Sequence, residues 1–128
     1  MNKLLVLLFS ILISFNSYAQ WTYITEEEDG DKYYIDNDSI KEHDGHIYWW
    51  GLTDYVKPSS GDLSVEAYFE GDCGINRWRL LSMVFFKQSM GTGQKDIQTP
   101  TGEYANWYYP PSDRIDGMLL NHACNNIK

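Results

Sequence analysis

Residues 40–55 read Ile-Lys-Glu-His-Asp-Gly-His-Ile-Tyr-Trp-Trp-Gly-Leu-Thr-Asp-Tyr, and the pair Asp44-Gly45 decides how they are read. An Asp-Gly pair accepts the positive φ values of the two-residue turn whose twist matches two antiparallel strands. Ile40–His43 therefore enters a hairpin and His46–Tyr55 leaves it. In the leaving strand Tyr48, Trp50 and Leu52 share one face, while Ile47, Trp49 and Tyr55 share the other. Both faces are apolar, the pattern of a central strand covered on each side.

Working outward, Trp21–Thr25 alternates bulky and polar residues, Glu26–Asp31 is an acidic run containing Gly30, and Lys32–Asp36 is rich in tyrosine. The sequence predicts strand, turn, strand. On the other side, Lys57–Asp62 carries Pro58, Ser59, Ser60 and Gly61 and reads as a loop. Val65, Ala67 and Phe69 then alternate with Glu66, Tyr68 and Glu70 in a half-buried strand that ends at Cys73-Gly74. Arg77–Lys87 is the next strand, with Trp78, Leu80, Val84 and Phe86 expected on one face and Leu81, Met83 and Phe85 on the other.

From Gln88 to Pro111 glycine, proline and polar residues dominate, interrupted by Tyr104, Trp107, Tyr108 and Tyr109, so a long loop with at most a short strand is expected. Pro110 and Pro111 set up a helix start. Ser112 or Asp113 can cap its first turn, and Ile115, Met118, Leu119 and His122 recur at helical spacing up to Cys124. Gly117 weakens that helix by about 1 kcal/mol. The fold class is α+β, mainly β: an antiparallel sheet of about five to six strands with one C-terminal helix packed on it.

The N-terminus has the zones of a secretory signal: Lys3, an apolar run from Leu4 to Phe15, then small residues Ser17 and Ala19 before Gln20. Residues 1–19 read as a signal peptide and 20–128 as a single domain. The apolar run is about 12 residues, short of the ~20 that span a bilayer as a helix, and no membrane span is expected. No cysteine follows Ala19, so no lipoprotein anchor is expected either. The chain is read as exported, periplasmic or secreted to the cell surface. Removing residues 1–19 takes one cation, Lys3, and no acid, so the net charge of −8 becomes −9. That sign argues against nucleic acid, whose phosphates attract Lys/Arg patches, and favours a cationic partner.

Two cysteines in an exported chain of this size pair, because the compartment is oxidising. A Cys73–Cys124 bond closes a loop of about 50 residues, which chain entropy values at roughly 4 kcal/mol. It is expected to pin the helix to the sheet.

The motifs assign no catalytic residue, cofactor or metal. His43 and His46 flank the turn and face each other, but two ligands make a weak metal site and Asp44 is explained by the turn. His122 is expected on the packed face of the helix. Asp36-Asn37-Asp38 begins like a calcium loop, yet Ile40, Lys41 and Ile47 stand where an acid, a glycine and a closing glutamate belong. Gly91-Thr92-Gly93 has no Lys-Ser/Thr pair after it and reads as a turn. Neither a nucleophile elbow nor a spare thiol is present, so no enzyme is expected. What remains is a surplus of aromatics. Trp49, Tyr68, Tyr104, Trp107, Tyr108 and Tyr109 are the candidate contact residues, since exposed rings with few rotatable bonds bind well.

Trp21, Tyr34-Ile35-Asp36, Asp38-Ser39-Ile40, Trp50 with Leu52–Tyr55, Ser64 onward to Asp72-Cys73, Arg79-Leu80-Leu81-Ser82, Met90-Gly91-Thr92-Gly93, Trp107, Pro110-Pro111-Ser112 and Cys124 follow one another in an order and spacing that resembles the surface-adhesin E family. The resemblance covers nearly the whole mature chain. It implies an antiparallel sheet with a C-terminal helix, and an exported, non-enzymatic adhesin that binds a protein partner. In the family that partner is a host extracellular-matrix or plasma protein, and dimerisation and haem have been linked to it. The alternatives are a periplasmic small-ligand module, for example for haem through Tyr and His43, His46 or His122, and a structural envelope protein.

Overall fold

Alternation of bulky and polar residues builds seven strands in the computed structural model, which describes residues 19–128. They are β1 (Trp21–Glu26), β2 (Lys32–Asp36), β3 (Lys41–His43), β4 (His46–Ser59), β5 (Asp62–Asp72), β6 (Arg77–Phe86) and β7 (Lys95–Gln98), followed by one helix, α1 (Ile115–Asn125). The signal-peptide reading falls on residues 1–18, outside the described residues, apart from Ala19. The strands form one antiparallel sheet in the order β1-β2-β4-β5-β6-β7, with β3 paired to the start of β4.

β4 is the spine of this sheet. Asp44 and Gly45 both take positive φ, 51° and 85°, and the turn they make sets His43 opposite His46. β2 and β3 lie along the same edge of β4, separated by a 3-10 turn at Asn37–Ser39. Ser39 Oγ bridges that gap: it accepts from the Trp50 backbone N–H at 2.9 Å and donates to the Asp36 carbonyl at 2.6 Å. Asp36 accepts from the Asp38 N–H at 3.2 Å, so the triplet that begins like a calcium loop serves as a turn cap. β4 runs on to Ser59, where a loop was expected from Lys57. Its pairing with β5 becomes irregular between Asp54 and Ser59, and Pro58 falls in that stretch, where a missing N–H costs no regular ladder bond.

The core lies between one sheet face and α1. Ile35, Ile40, Ile47 and Trp49 from the sheet side meet Leu120 and Ala123 from the helix. Two glycines set the contact. A Cβ at Gly71 would stand 2.7 Å from the Trp49 ring and 3.1 Å from Leu120, so only a bare backbone admits both. A Cβ at Gly117 would collide with the Pro111 carbonyl oxygen. Gly117 is therefore a packing requirement where the sequence suggested a weak helix. The same close approach moves the helix start: Arg114 N–H bonds the Pro111 carbonyl, α1 begins at Ile115, and neither Ser112 nor Asp113 caps it. Cys73 and Cys124 are bonded, with Cα atoms 5.9 Å apart, and the link joins the end of β5 to the last turn of α1 as expected.

Helix propensity alone favours alanine over glycine at 117 by about 1 kcal/mol. The Pro111 contact reverses the sign, and Gly117→Ala is expected to lower stability by about 2 kcal/mol in urea unfolding. A gain in stability would show that α1 does not lie this close to the Pro110-Pro111 segment.

Candidate functional site

The sheet face away from α1 is built by the even-numbered residues of β4 and β5. The register pairs Tyr48 with Glu70 and Trp50 with Tyr68. A bulge in β6 completes the face: Tyr68 opposes Ser82, but Phe69 opposes Leu80, leaving Leu81 as an extra residue. Side chains change faces across such a bulge. Trp78 and Leu80 thus join Met83 and Phe85 on the helix side, whereas Arg77 and Arg79 join Val84 and Phe86 on the other. This corrects the uninterrupted alternation expected for Arg77–Lys87, and it places two guanidinium groups beside Glu70 and Asp72.

Glu70 is only 5% exposed, and its carboxylate is saturated. Arg79 reaches Oε1 with Nε at 2.8 Å and Nη2 at 2.7 Å, and His46 Nδ1 lies 2.6 Å from Oε2. An ionised carboxylate only accepts, so His46 Nδ1 carries the proton. His46 Nε2 points to Asp72 at 3.5 Å, and Asp72 also holds Arg77 Nε at 3.2 Å. Burial alone would raise the Glu70 pKa, but the hydrogen bonds and charges of His46 and Arg79 outweigh it and lower the value. Burial raises the pKa of Glu66, further along the same face, against the opposing charge of Lys95.

Trp107 closes over this cluster. Its ring lies 4.1 Å from the Arg77 guanidinium carbon and 4.7 Å from that of Arg79, and His46 meets it edge-on at 5.5 Å. The long loop is brought here by a two-way backbone pairing of Trp78 with Tyr108, at 2.9 and 2.8 Å. Neighbours on such a bridged segment point to opposite faces. Trp107 therefore covers the arginines while Tyr108 packs edge-on against Trp78 on the other side, 5.2 Å between centroids. Arg77 Nη1 donates to the Tyr109 hydroxyl at 3.4 Å. Beyond Glu70 the face continues as stacked rings, Tyr48 on Tyr68 at 6.2 Å and Tyr68 against Trp50 at 4.9 Å. At the far end Ser89–Gly91 folds back over it, with Met90 N–H on Asp54 and Gly91 N–H on Ser64 Oγ.

The expected contact residues divide accordingly. Tyr68 and Trp107 share this face, Tyr109 sits at its rim, and Tyr104 is 74% exposed in the 3-10 turn Gly102–Ala105. Tyr108 is directed to the helix side. Trp49 is corrected: it is 2% exposed, stacked on Phe69 at 5.2 Å inside the core, and cannot touch a partner. The second face of β4, expected to be covered, is covered by the Ser89–Gly91 turn at one end and by Trp107 at the other. His43 and His46 face each other in register, yet His43 turns to Asp44 at 3.2 Å and His46 to Glu70, so the two do not converge on a metal. Among the described residues no group of three or more His, Cys, Asp or Glu is arranged to hold a metal ion. His122, expected as a packed core residue, is only half-buried and bonds Asn37 at 2.7 Å. Tyr48, Trp50, Glu70, Arg77 and Arg79 were not among the contact residues expected from sequence, and His46 was weighed there only as a metal or haem ligand. Their partners lie up to 61 residues apart in the chain (His46 to Trp107), and the one local signal was the Arg77-x-Arg79 spacing.

Glu70 is held ionised and fully donated to, which makes it a poor proton donor, and His46 is fixed by it. The family model for surface-adhesin protein E matches residues 21–125. No curated protein sequence matches the chain. Among solved structures, crystal form II of Haemophilus influenzae protein E is 18% identical, with 81% of this chain and 87% of that one covered and a TM-score of 0.61. Its Se-Met form gives 19%, 82%, 87% and 0.61, and protein E from non-typeable Haemophilus influenzae gives 18%, 85%, 76% and 0.52. These structures share the fold of this chain.

Glu70→Gln is expected to cost about 2 kcal/mol near pH 7, the scale of hydrogen bonds to a charged group. Because the folded pKa of Glu70 is lowered, its contribution is fully present above the unfolded value near ~4.3 and is lost as pH falls through the folded value. The stability gap between wild type and Glu70→Gln should therefore shrink as urea midpoints are taken from pH 7 towards pH 3. A constant gap would show that Glu70 acts by shape alone.

Proposed function

The chain belongs to the surface-adhesin protein E family, and on that premise we propose that it is an exported, non-enzymatic binding protein that recognises a protein partner, extracellular-matrix or envelope, through the sheet face opposite α1. The observation that carries this reading is the Trp107 ring laid over Arg77 and Arg79, beside Tyr68 and Tyr109. Trp, Tyr and Arg are the residues on which interface energy concentrates. Here Arg77 and Arg79 are already held by Asp72 and Glu70, so little of their rotamer freedom remains to be lost on association. A second copy of the chain is a further partner consistent with the family resemblance. The haem alternative draws less support, because His46 and His122 are each committed to hydrogen bonds. Among the described residues no helix is long and apolar enough to cross a membrane.

The test is binding of the purified protein to immobilised extracellular-matrix and envelope proteins. Saturable binding is expected, and Trp107→Ala and Tyr109→Ala should each weaken it about tenfold, the ~1.4 kcal/mol of a modest hot spot. Binding that both variants leave intact would move the contact surface elsewhere, and no saturable binding across the panel would overturn the reading. Fractionation should find the protein outside the cytoplasm.

A further inference from the structure

β1 begins at Trp21, and the residue before it, Gln20, is exposed and outside any strand. Gln20 also follows Ala19, the last of the small residues that close the secretory-signal pattern. Cleavage there makes Gln20 the first residue of the mature chain, with a free α-amine beside a side-chain amide. Only glutamine carries an amide at the distance from its own α-amine that closes an unstrained γ-lactam, so the two groups meet at a high effective concentration. The ladder does not obstruct them. The first paired residue of β1 is Trp21, opposite Asp36, so closing a ring on Gln20 breaks no strand pairing and needs no unfolding.

We propose that Gln20 is a modification site, at which the mature N-terminus cyclises to pyroglutamate. The neutral α-amine attacks the side-chain carbonyl carbon Cδ. The N–Cδ bond forms, the Cδ–Nε2 bond breaks, and one amine proton leaves with Nε2 as ammonia. No oxidant, water or second substrate enters, so atoms and electrons balance within the residue. A free α-amine has a reference pKa of about 7.7–8.0, which leaves roughly a tenth of it neutral and nucleophilic at pH 7. A carboxylate held against the ammonium would suppress that fraction. The acid opposite the start of β1 is otherwise engaged: Asp36 accepts the Asp38 N–H at 3.2 Å, and Asp38 faces Lys128 at 4.0 Å. The product is an uncharged lactam at the start of an edge strand, closed to aminopeptidases, which need a free amine. Through the register Trp21 shares a face with Tyr23 and Tyr34, and Tyr34 with Leu52, so the lactam sits at the margin of the sheet face opposite α1. The modification rests on the export reading above, because only removal of residues 1–19 makes Gln20 terminal.

The test expresses the full chain under its own signal, purifies the mature protein and holds it at neutral pH, taking intact masses over time. A chain that begins at Gln20 and is lighter by one ammonia is expected. Its isoelectric point should move to the acid side as the terminal cation is lost, which separates cyclisation in solution from loss of ammonia in the spectrometer. Stepwise degradation from the N-terminus should be blocked until pyroglutamyl peptidase removes the lactam, and should then read Trp21 first. Gln20→Asn can close only a strained β-lactam, so its terminus should stay readable throughout. Where that variant is poorly exported, the wild-type time course and the enzymatic unblocking decide alone. A wild-type chain that begins at Gln20 and keeps its full mass and a readable terminus would overturn the modification and leave the export reading intact. A chain that begins elsewhere would overturn the modification together with cleavage after Ala19, and one that keeps Met1 would overturn the export reading as well.

Discussion

The Trp49 indole lies against a strand position that has no side chain, with Leu120 of the helix closing over the same spot. Burying a tryptophan removes about 150–250 Å² from water, worth about 4–6 kcal/mol as an upper figure, so this junction is comparable to the whole net stability of a small domain. It exists only while position 71 is glycine. α1 has 11 residues, too few to be helical alone in water, and it forms because it docks here. The disulfide secures the same place from both sides, two residues beyond Gly71 and four beyond Leu120.

Once the helix is fixed on one face, the chain between β6 and α1 must cross the sheet edge to reach it. That crossing is held at Trp78 and Tyr108, and from it the two faces acquire their rings: Tyr108 on the helix side, Trp107 on the other. The bulge at Leu81 makes the second half of the arrangement. It puts Trp78 inward, where it meets Phe69, and Arg77 and Arg79 outward under Trp107. A regular β6 would place the arginines in the core.

The hairpin at Asp44-Gly45, the disulfide and the existence of a C-terminal helix were legible because each has a local or compositional cause: a turn that needs positive φ, an oxidising compartment, a 3.6-residue period. The bulge was not, since Leu80 and Leu81 are both apolar and either could be the extra residue. Trp49 and Trp50 are adjacent and equally hydrophobic, so nothing in the strand itself says which faces the helix; only the bare position at Gly71, across the ladder, decides it. The helix start was misplaced for a tertiary reason. Ser112 and Asp113 are good caps in isolation, but Gly117 packing against Pro111 sets where the first turn can begin. Of the functional surface, the exposed tyrosines could be read from composition, whereas the Glu70 cluster is assembled by register from four separate segments.

The distribution of charge separates the two faces physically. On the open face each arginine is neutralised in place by Glu70 or Asp72, so that face presents rings and guanidinium edges with little net field. The unbalanced acids instead gather at the other end, where Glu26, Glu27, Glu28, Asp29, Asp113 and Asp116 share one hollow. A unit charge feels each of them at about 8 Å, one Debye length at physiological salt, by only ~0.5 kcal/mol in water before screening. Six such terms suffice to orient an approaching cation but not to retain it.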